Sequence, residues 1–333
     1  MLRHYRCYGL TIASDIAFPE ELLAVVGHGH AAWQVRRHAE LMAPRQSLEW
    51  FHRWQFPDGR EWVAFGRDAL GYLLRFPGIA DFDVRPDQRT IDCFALTDVP
   101  EDTLQHLTLD QVMPLVLGTP ASMALHGSSV ATPAGAVIFL GESGLGKSTL
   151  AARLGRRGLA VLADDCALLR VGPAGFEVVP AYPGVRLHPD SVRTISGAEM
   201  TSGPVAHYST KRRIAAGFAS PFPKQAVPLA RVYVISSREQ LQRVDAITIE
   251  PMSKRDALYA LTDFTFHLDI NHIPRVRETF GLAGDLVDAC ELHVLEYPWD
   301  LGGTDAIVDA VLEHAGVAVQ MVSRAWSVPQ PGP

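Results

Sequence analysis

Cysteine is scarce: the 333 residues hold four, Cys7, Cys93, Cys166 and Cys290, and no two of them form a C-x-x-C pair. That argues against a zinc knuckle and a dithiol redox motif, and leaves reduced, partly buried thiols as the expectation. No apolar run is long enough to span a bilayer. The opening Met1-Leu2-Arg3-His4-Tyr5-Arg6 lacks the apolar core and small-residue cleavage site of a signal peptide, so no membrane is expected and the cytoplasm is the expected location. Positive charge is in deficit: Lys and Arg total 30 against 37 Asp and Glu, a formal net charge of −7. With a pI near 6.0, a protein that coats nucleic acid is not expected. Internal repeats are missing too. What remains is an ordinary globular composition, 47% hydrophobic and 20% charged, in a chain long enough for two domains.

Short strands fill the first hundred residues. The segments 8–14, 33–36, 50–56, 61–65, 71–76, 82–84 and 90–94 alternate or are rich in aromatic and branched side chains, with turn signals at Pro57-Asp58-Gly59 and Pro86-Asp87-Gln88. A β-rich unit over residues 1–100, built as a meander packed on one face, is the expectation. Trp33, Trp50, Trp54 and Trp62 read as core packing before they read as a binding surface. His28, Gly29 and His30 read as a solvated loop, since no third metal ligand lies nearby.

Past Pro100, Leu104, Leu107, Val112, Leu115 and Val116 recur at helical spacing, and Gly118 with Pro120 ends the run. A helix joining two domains is expected there. Residues 122–131, the turn Pro133-Ala134-Gly135 and the apolar run Ala136-Val137-Ile138-Phe139-Leu140 read as a hairpin. It places His126 on the strand beside that run, at the end far from the turn. The run leads directly into Gly141-Glu142-Ser143-Gly144-Leu145-Gly146-Lys147-Ser148-Thr149 and then a helical Leu150-Ala151-Ala152-Arg153-Leu154. Strand, glycine-rich loop and helix are the context in which G-x-x-x-x-G-K-[ST] counts as a phosphate-binding loop. Glycines let successive backbone N–H groups turn inward toward phosphate oxygens, and the helix N-terminus adds its positive end. Gly141, Ser143, Gly144, Leu145, Gly146, Lys147, Ser148 and Thr149 are therefore the candidate nucleotide-binding residues, with Lys147 on the phosphates and Ser148 on Mg²⁺.

The next strand, 158–163, ends in Asp164-Asp165. Two acids at the carboxyl end of a strand after such a loop suit two jobs: one can hold Mg²⁺, the other can accept a proton from an attacking hydroxyl. Leu125-His126-Gly127, the loop 141–149 and Ala163-Asp164-Asp165 together resemble the C-terminal catalytic domain of HPr kinase/phosphorylase, which shares its core with phosphoenolpyruvate carboxykinase. Residues 8–16, 76–82 and 185–191 make the chain look still more like the HPr kinase-related proteins of bacterial biosynthetic clusters, which include the lasso-peptide precursor kinases; this likeness spans roughly residues 1–300.

The resemblance implies an α/β fold: a P-loop kinase domain with a mixed sheet over 101–320, preceded by the β-rich unit and followed by a flexible tail, 321–333. It implies an ATP- and Mg²⁺-dependent serine kinase acting on a peptide or protein, such as the C-terminal serine of a lasso-peptide precursor. By position it implies Asp164 as catalytic acid–base, Asp165 and Ser148 as metal ligands, Lys147 on the phosphates, and His126 beside the aspartates. Arg186, Asp190, Lys211 and Arg212 fall in segments the relatives use around phosphate or substrate, although 182–213 departs from HPr kinase itself. A small-molecule kinase and a nucleotide-binding regulator stay open as alternatives, as does a homo-oligomer. An N-K-x-D guanine-reading motif is absent.

The remainder is read more coarsely. Residues 201–211 suggest a mobile loop, a lid or a clamp, followed by the basic Lys211-Arg212-Arg213. Strands are expected at 229–235, 247–251 and 292–297. Helices are expected at 253–266 with a serine cap, at 273–282 and at 304–314. Arg275 and Arg277, on the second of these helices, are placed at the surface.

Overall fold

Alternating apolar side chains build the first sheet, because successive residues of a strand face opposite sides. Its strands are β1 (Arg3–Cys7), β2 (Leu10–Ser14), β3 (Trp33–His38), β4 (Glu49–Gln55), β5 (Glu61–Asp68), β6 (Gly71–Phe76), β7 (Ala80–Arg85) and β8 (Thr90–Ala95), in the order β1-β2-β3-β8-β7-β6-β5-β4. The computed structural model describes residues 2–19, 22, 31–56, 58–196, 202–214, 222–301 and 305–317. The His28–Gly29–His30 loop and the 321–333 tail lie outside the described residues.

Two sequence expectations change here. Residues 8–14 are not one strand: Tyr8 and Gly9 have φ of 50° and 68°, and form the tight turn joining β1 to β2. The sheet is also only partly a meander. β4 to β8 run antiparallel in sequence, but β3 pairs parallel with both β2 and β8. Trp33 is in the core, and Trp54 and Trp62 pack half-buried against it.

The connecting helix is in three pieces: α1 (Glu101–His106), a wider π-helical turn (Leu107–Val112) and α2 (Met113–Leu117). Pro114 explains the break. It has no N–H to offer the Asp110 carbonyl four residues back, and its ring would clash there. The Met113 N–H accordingly reaches five residues back, to the Thr108 carbonyl. Leu104, Leu107, Leu109, Val112 and Met113 are fully buried in the same apolar cluster as Tyr5, Tyr8, Val35 and Cys166. The core of the first sheet thus runs on past residue 100.

The second sheet is mixed and nine-stranded. It holds β9 (Ser122–Leu125), β10 (Gly127–Thr132), β11 (Gly135–Leu140), β12 (Ala160–Ala163), β13 (Ala167–Gly172) and β14 (Gly175–Val179), joined later by β18 to β20. The expected hairpin is met only from Gly127 on, as β10–β11 with Gly127 opposite Leu140; residues 122–125 are a separate strand, β9, paired with β13, and His126 lies between the two. α3 (Lys147–Arg156) follows β11. A small third sheet orders β15 (Val185–Leu187), β17 (Arg212–Ile214) and β16 (Ser202–Pro204), with α4 (Pro189–Ser196) after β15. Of the segment 201–211 expected as a mobile loop, residues 202–204 are therefore strand, and so are residues 212–214 directly after it. Between them, Thr103 Oγ1 accepts from the His207 backbone N–H at 2.9 Å, and the Tyr208 ring meets Trp62 at 4.9 Å.

β18 (Val227–Ile235) lies parallel to β11 on one side and to the final strand on the other. After the short α5 (Arg238–Leu241) come β19 (Thr248–Pro251), α6 (Lys254–Asp263), α7 (Ile273–Ala289), β20 (Leu292–Glu296) and α8 (Asp305–His314). Ser253 caps α6 as expected, its Oγ accepting from the Asp256 N–H at 3.2 Å. α7 runs a full two turns beyond its expected end. Val137, Ile138, Phe139 and Leu140 are fully buried, which fits a strand flanked on both sides and covered on both faces.

Candidate active site

At the carboxyl end of β11 the chain turns through Gly141, Gly144 and Gly146, whose φ values of 150°, 88° and 97° all favour glycine. The turn delivers Lys147 and Ser148 to the first turn of α3. Lys147 is buried and its Nζ donates to the carbonyls of Gly141, at 2.6 Å, and Glu142, at 2.8 Å. Tyr297, just past β20, donates its OH to the Leu145 carbonyl at 2.5 Å and so braces the loop from behind. Ser143, Gly144, Gly146, Lys147, Ser148 and Thr149 line one side of a cavity. His126, Asp165, Arg186, His188 and Lys211 supply the charged and titratable part of the rest, with Leu187 and Ser191 between them.

The two aspartates do not share this cavity. The Asp164 side chain is fully buried, whereas that of Asp165 keeps 15% exposure. Asp164 Oδ1 accepts from Ser128 Oγ at 2.7 Å, and Oδ2 accepts from the Arg186 backbone N–H at 2.7 Å. Asp165, with φ of 66°, turns the other way into the cavity. The sequence places both acids at the reacting centre, Asp164 to take the acceptor's proton and Asp165 to hold metal. The left-handed backbone at Asp165 is what points one forward and leaves the other behind the wall.

Charge is concentrated here. Burial would raise the Asp165 carboxyl, but Lys211, Arg186 and His126 outweigh it and hold the group well below the usual carboxylate range. Burial pushes Lys147 down to about 8, against the pull of Asp165 and Asp164. Burial, with Lys147 next, pushes His126 down to about 4, so at neutral pH its ring carries no charge.

The other candidates separate. Lys211 reaches the cavity. Arg186 does so with its guanidinium already engaged by three carboxylates: Asp110 Oδ1 at 2.5 Å, Asp164 Oδ2 at 3.4 Å and Asp165 Oδ2 at 3.5 Å. It is a clamp more than a free phosphate ligand. Asp190 is exposed at the start of α4 and pairs with Arg193, away from the cavity wall. Arg212 sits in β17 and is not part of the lining. Gly141 and Leu145 support the loop without lining the cavity. Sequence reasoning passed over Ser128, Tyr182 and Asp110. Asp110 had a signal: it is the one carboxylate inside the apolar helical run 104–116.

No family model matches the chain, and no curated protein sequence matches it. Among solved structures, the Hpr(Ser) kinase/phosphatase from Coxiella burnetii is similar over 57% of this chain and 95% of that one, at 12% identity and a TM-score of 0.29. That likeness is slight, and the chemistry of the cavity stands on its own residues.

Proposed function

We propose that the chain is an ATP- and Mg²⁺-dependent kinase that transfers the γ-phosphoryl group to a serine hydroxyl of a peptide or protein. The C-terminal serine of a lasso-peptide precursor is the first acceptor to try. The observation that carries the reading is the cavity itself, where a glycine-rich loop and its buried lysine face one ionised carboxylate. Magnesium sites commonly take one or two carboxylates and complete their shell with substrate phosphates and water. Ser148 and Asp165 are such a sparse donor set, and no cluster of three or more His, Cys, Asp or Glu placed for a metal occurs among the described residues. When bound, Mg²⁺ would neutralise charge on the β- and γ-phosphates.

The remaining work falls to the chain. The loop amides and Lys147 hold the phosphates, Lys211 adds charge from the opposite wall, and Asp165 orients the acceptor oxygen and takes its proton. One carboxylate suffices for both metal and acceptor, because a loose phosphoryl-transfer transition state needs positioning and charge stabilisation more than early proton removal. Asp164, expected from the sequence to be the base, instead supports the turn that presents Asp165.

The test is mass spectrometry of acceptors incubated with the protein, Mg²⁺ and ATP: the candidate precursor peptide, HPr and free serine. A phosphate gained on the peptide or on HPr supports the proposal. Phosphate on free serine alone makes the protein a small-molecule kinase; ATP bound without any transfer makes it a regulator.

Triphosphate affinity should also depend on pH. Only the protonated Lys147 attracts phosphate, and its ammonium titrates near 8 in the unliganded protein. Affinity is expected to be level below pH 7 and to fall as pH rises through 8. Lys147→Arg should flatten the curve, since a guanidinium stays charged throughout. Calorimetric titration at a series of pH values reads this, and an identical fall in the arginine variant would assign the effect elsewhere.

A further inference from the structure

Behind the cavity wall lies a cluster that the reaction so far leaves unused. Asp110, in the π-helical turn, is buried with a side chain of zero exposure. Its carboxylate accepts from His106 Nδ1 at 2.6 Å, from Arg186 Nε at 2.9 Å and Nη2 at 2.5 Å, and from the Tyr182 hydroxyl. Arg186 is thus gripped by both prongs of its fork, with the Tyr182 ring 5.2 Å from its Cζ. Its remaining nitrogen, Nη1, donates to the Asp164 carbonyl at 3.1 Å and lies 3.5 Å from Asp165 Oδ2.

Asp110 touches neither the cavity nor anything that would enter it. Its closest tie to the site is Arg186, which links the π-helical turn to both carboxylates of the 164–165 turn, with Arg213 farther off at 3.9 Å. A π-helical turn is an uncommon local structure, retained often at functional sites. Here it aims a carboxylate at a guanidinium 76 positions away in the chain.

We propose that Asp110 is a positioning residue that, through its two-pronged hold on Arg186, fixes Asp165 in its cavity-facing position. This rests on the kinase reading above. An amide in its place would offer one acceptor oxygen where the fork needs two, and would turn N–H groups toward a guanidinium that has only N–H groups itself. Arg186 would then be free to swing toward Asp165 or the phosphates. A loss of about 10–100-fold is the scale for residues that orient a ligand-bearing side chain from behind.

The experiment is a double-mutant cycle of Asp110→Asn and Arg186→Met on the full chain, with three readouts. The first is the Arg186 Nε–H resonance of the unliganded protein in a nitrogen-15 correlation spectrum, which the clamp shields from exchange. The second is affinity for Mn²⁺ in the presence of ADP, from the spin-resonance signal of free Mn²⁺. The third is phosphoryl transfer. In D110N the resonance should lose protection, and Mn²⁺ affinity and kcat should each fall roughly 10–100-fold, while denaturation in the R186M background shows that the double variant folds. In that background Asp110→Asn should cost nothing further, since its effect passes through the arginine. Arg186→Lys, which keeps the charge and loses the fork, should match D110N and serves if D110N does not fold.

An unchanged resonance, unchanged Mn²⁺ affinity, or losses that add across the cycle would overturn the proposal. Wild-type protein that binds Mn²⁺ and ADP but transfers nothing would overturn the kinase reading alone, leaving the affinity cycle to decide on Asp110. Wild-type protein that binds neither would overturn both.

Discussion

Lys147→Ala is expected to lower phosphoryl transfer by at least roughly 10²–10³-fold, the loss that follows removal of one preorganised donor to developing charge. The physical reason is the resting position of the ammonium. Its Nζ lies on the Gly141 and Glu142 carbonyls, so it can exchange those acceptors for phosphate oxygens without moving the helix that carries it. Fold stability should not fall with activity. Lys147 holds its proton less tightly when folded, near 8 against an ordinary 10.5, so at pH 7 the buried charge works against folding and alanine relieves it. That relief should shrink as pH rises through 8 toward 10.5, because the unfolded chain then holds more protons than the folded one. Transfer assays beside denaturation at pH 7 and pH 9.5 check both halves. Wild-type turnover in the alanine variant would end the kinase reading.

The second large effect divides the two aspartates. Asp165→Asn is expected to reduce transfer by about 10²–10⁴-fold, the range for a positioned proton acceptor, and to lower the denaturation midpoint at pH 7, because a carboxyl held below its ordinary range by Lys211, Arg186 and His126 stabilises the fold through its charge. Asparagine tolerates a left-handed backbone well, and Asp165 has φ of 66°. Asp164→Asn should act through its hydrogen bonds instead. Its two oxygens accept from Ser128 Oγ and the Arg186 N–H, and an amide can satisfy only one of those donors. The buried donor left over costs about 1–3 kcal/mol, read as a lowered midpoint, with transfer reduced as a consequence. If Asp164→Asn instead loses transfer at full stability while Asp165→Asn keeps it, Asp164 is the base, as the resemblance to HPr kinase implies.

Local pattern reached far into this structure. The β10–β11 hairpin, the glycine-rich loop, the α3 helix and the Ser253 cap all follow from residues within a few positions of each other, where turn chemistry and hydrophobic period leave little choice. Seven strands of the first sheet were legible on the same grounds. Their order was not: nothing local says that β3 should pair parallel with β8, 56 residues apart at Val35 and Ile91, because that pairing is settled by which apolar faces meet. The hairpin β13–β14 and the short strands β16 and β17 were missed. At three residues each, β16 and β17 carry too little pattern to stand out from loop.

By itself the sequence determined the side chains on offer: a glycine-rich loop after a buried strand, a lysine and a serine at its end, and two adjacent acids one strand later. It could do so because each of those features lies within a single stretch of chain. Which acid faces the cavity was decided only by the tertiary structure, through one left-handed residue and the hold of Ser128 and Arg186 on its neighbour. The part played by Asp110 was decided there too. A carboxylate in an apolar helical run becomes intelligible only when an arginine from a distant strand is packed against it, for burying a charge requires a partner and the sequence does not say where that partner comes from.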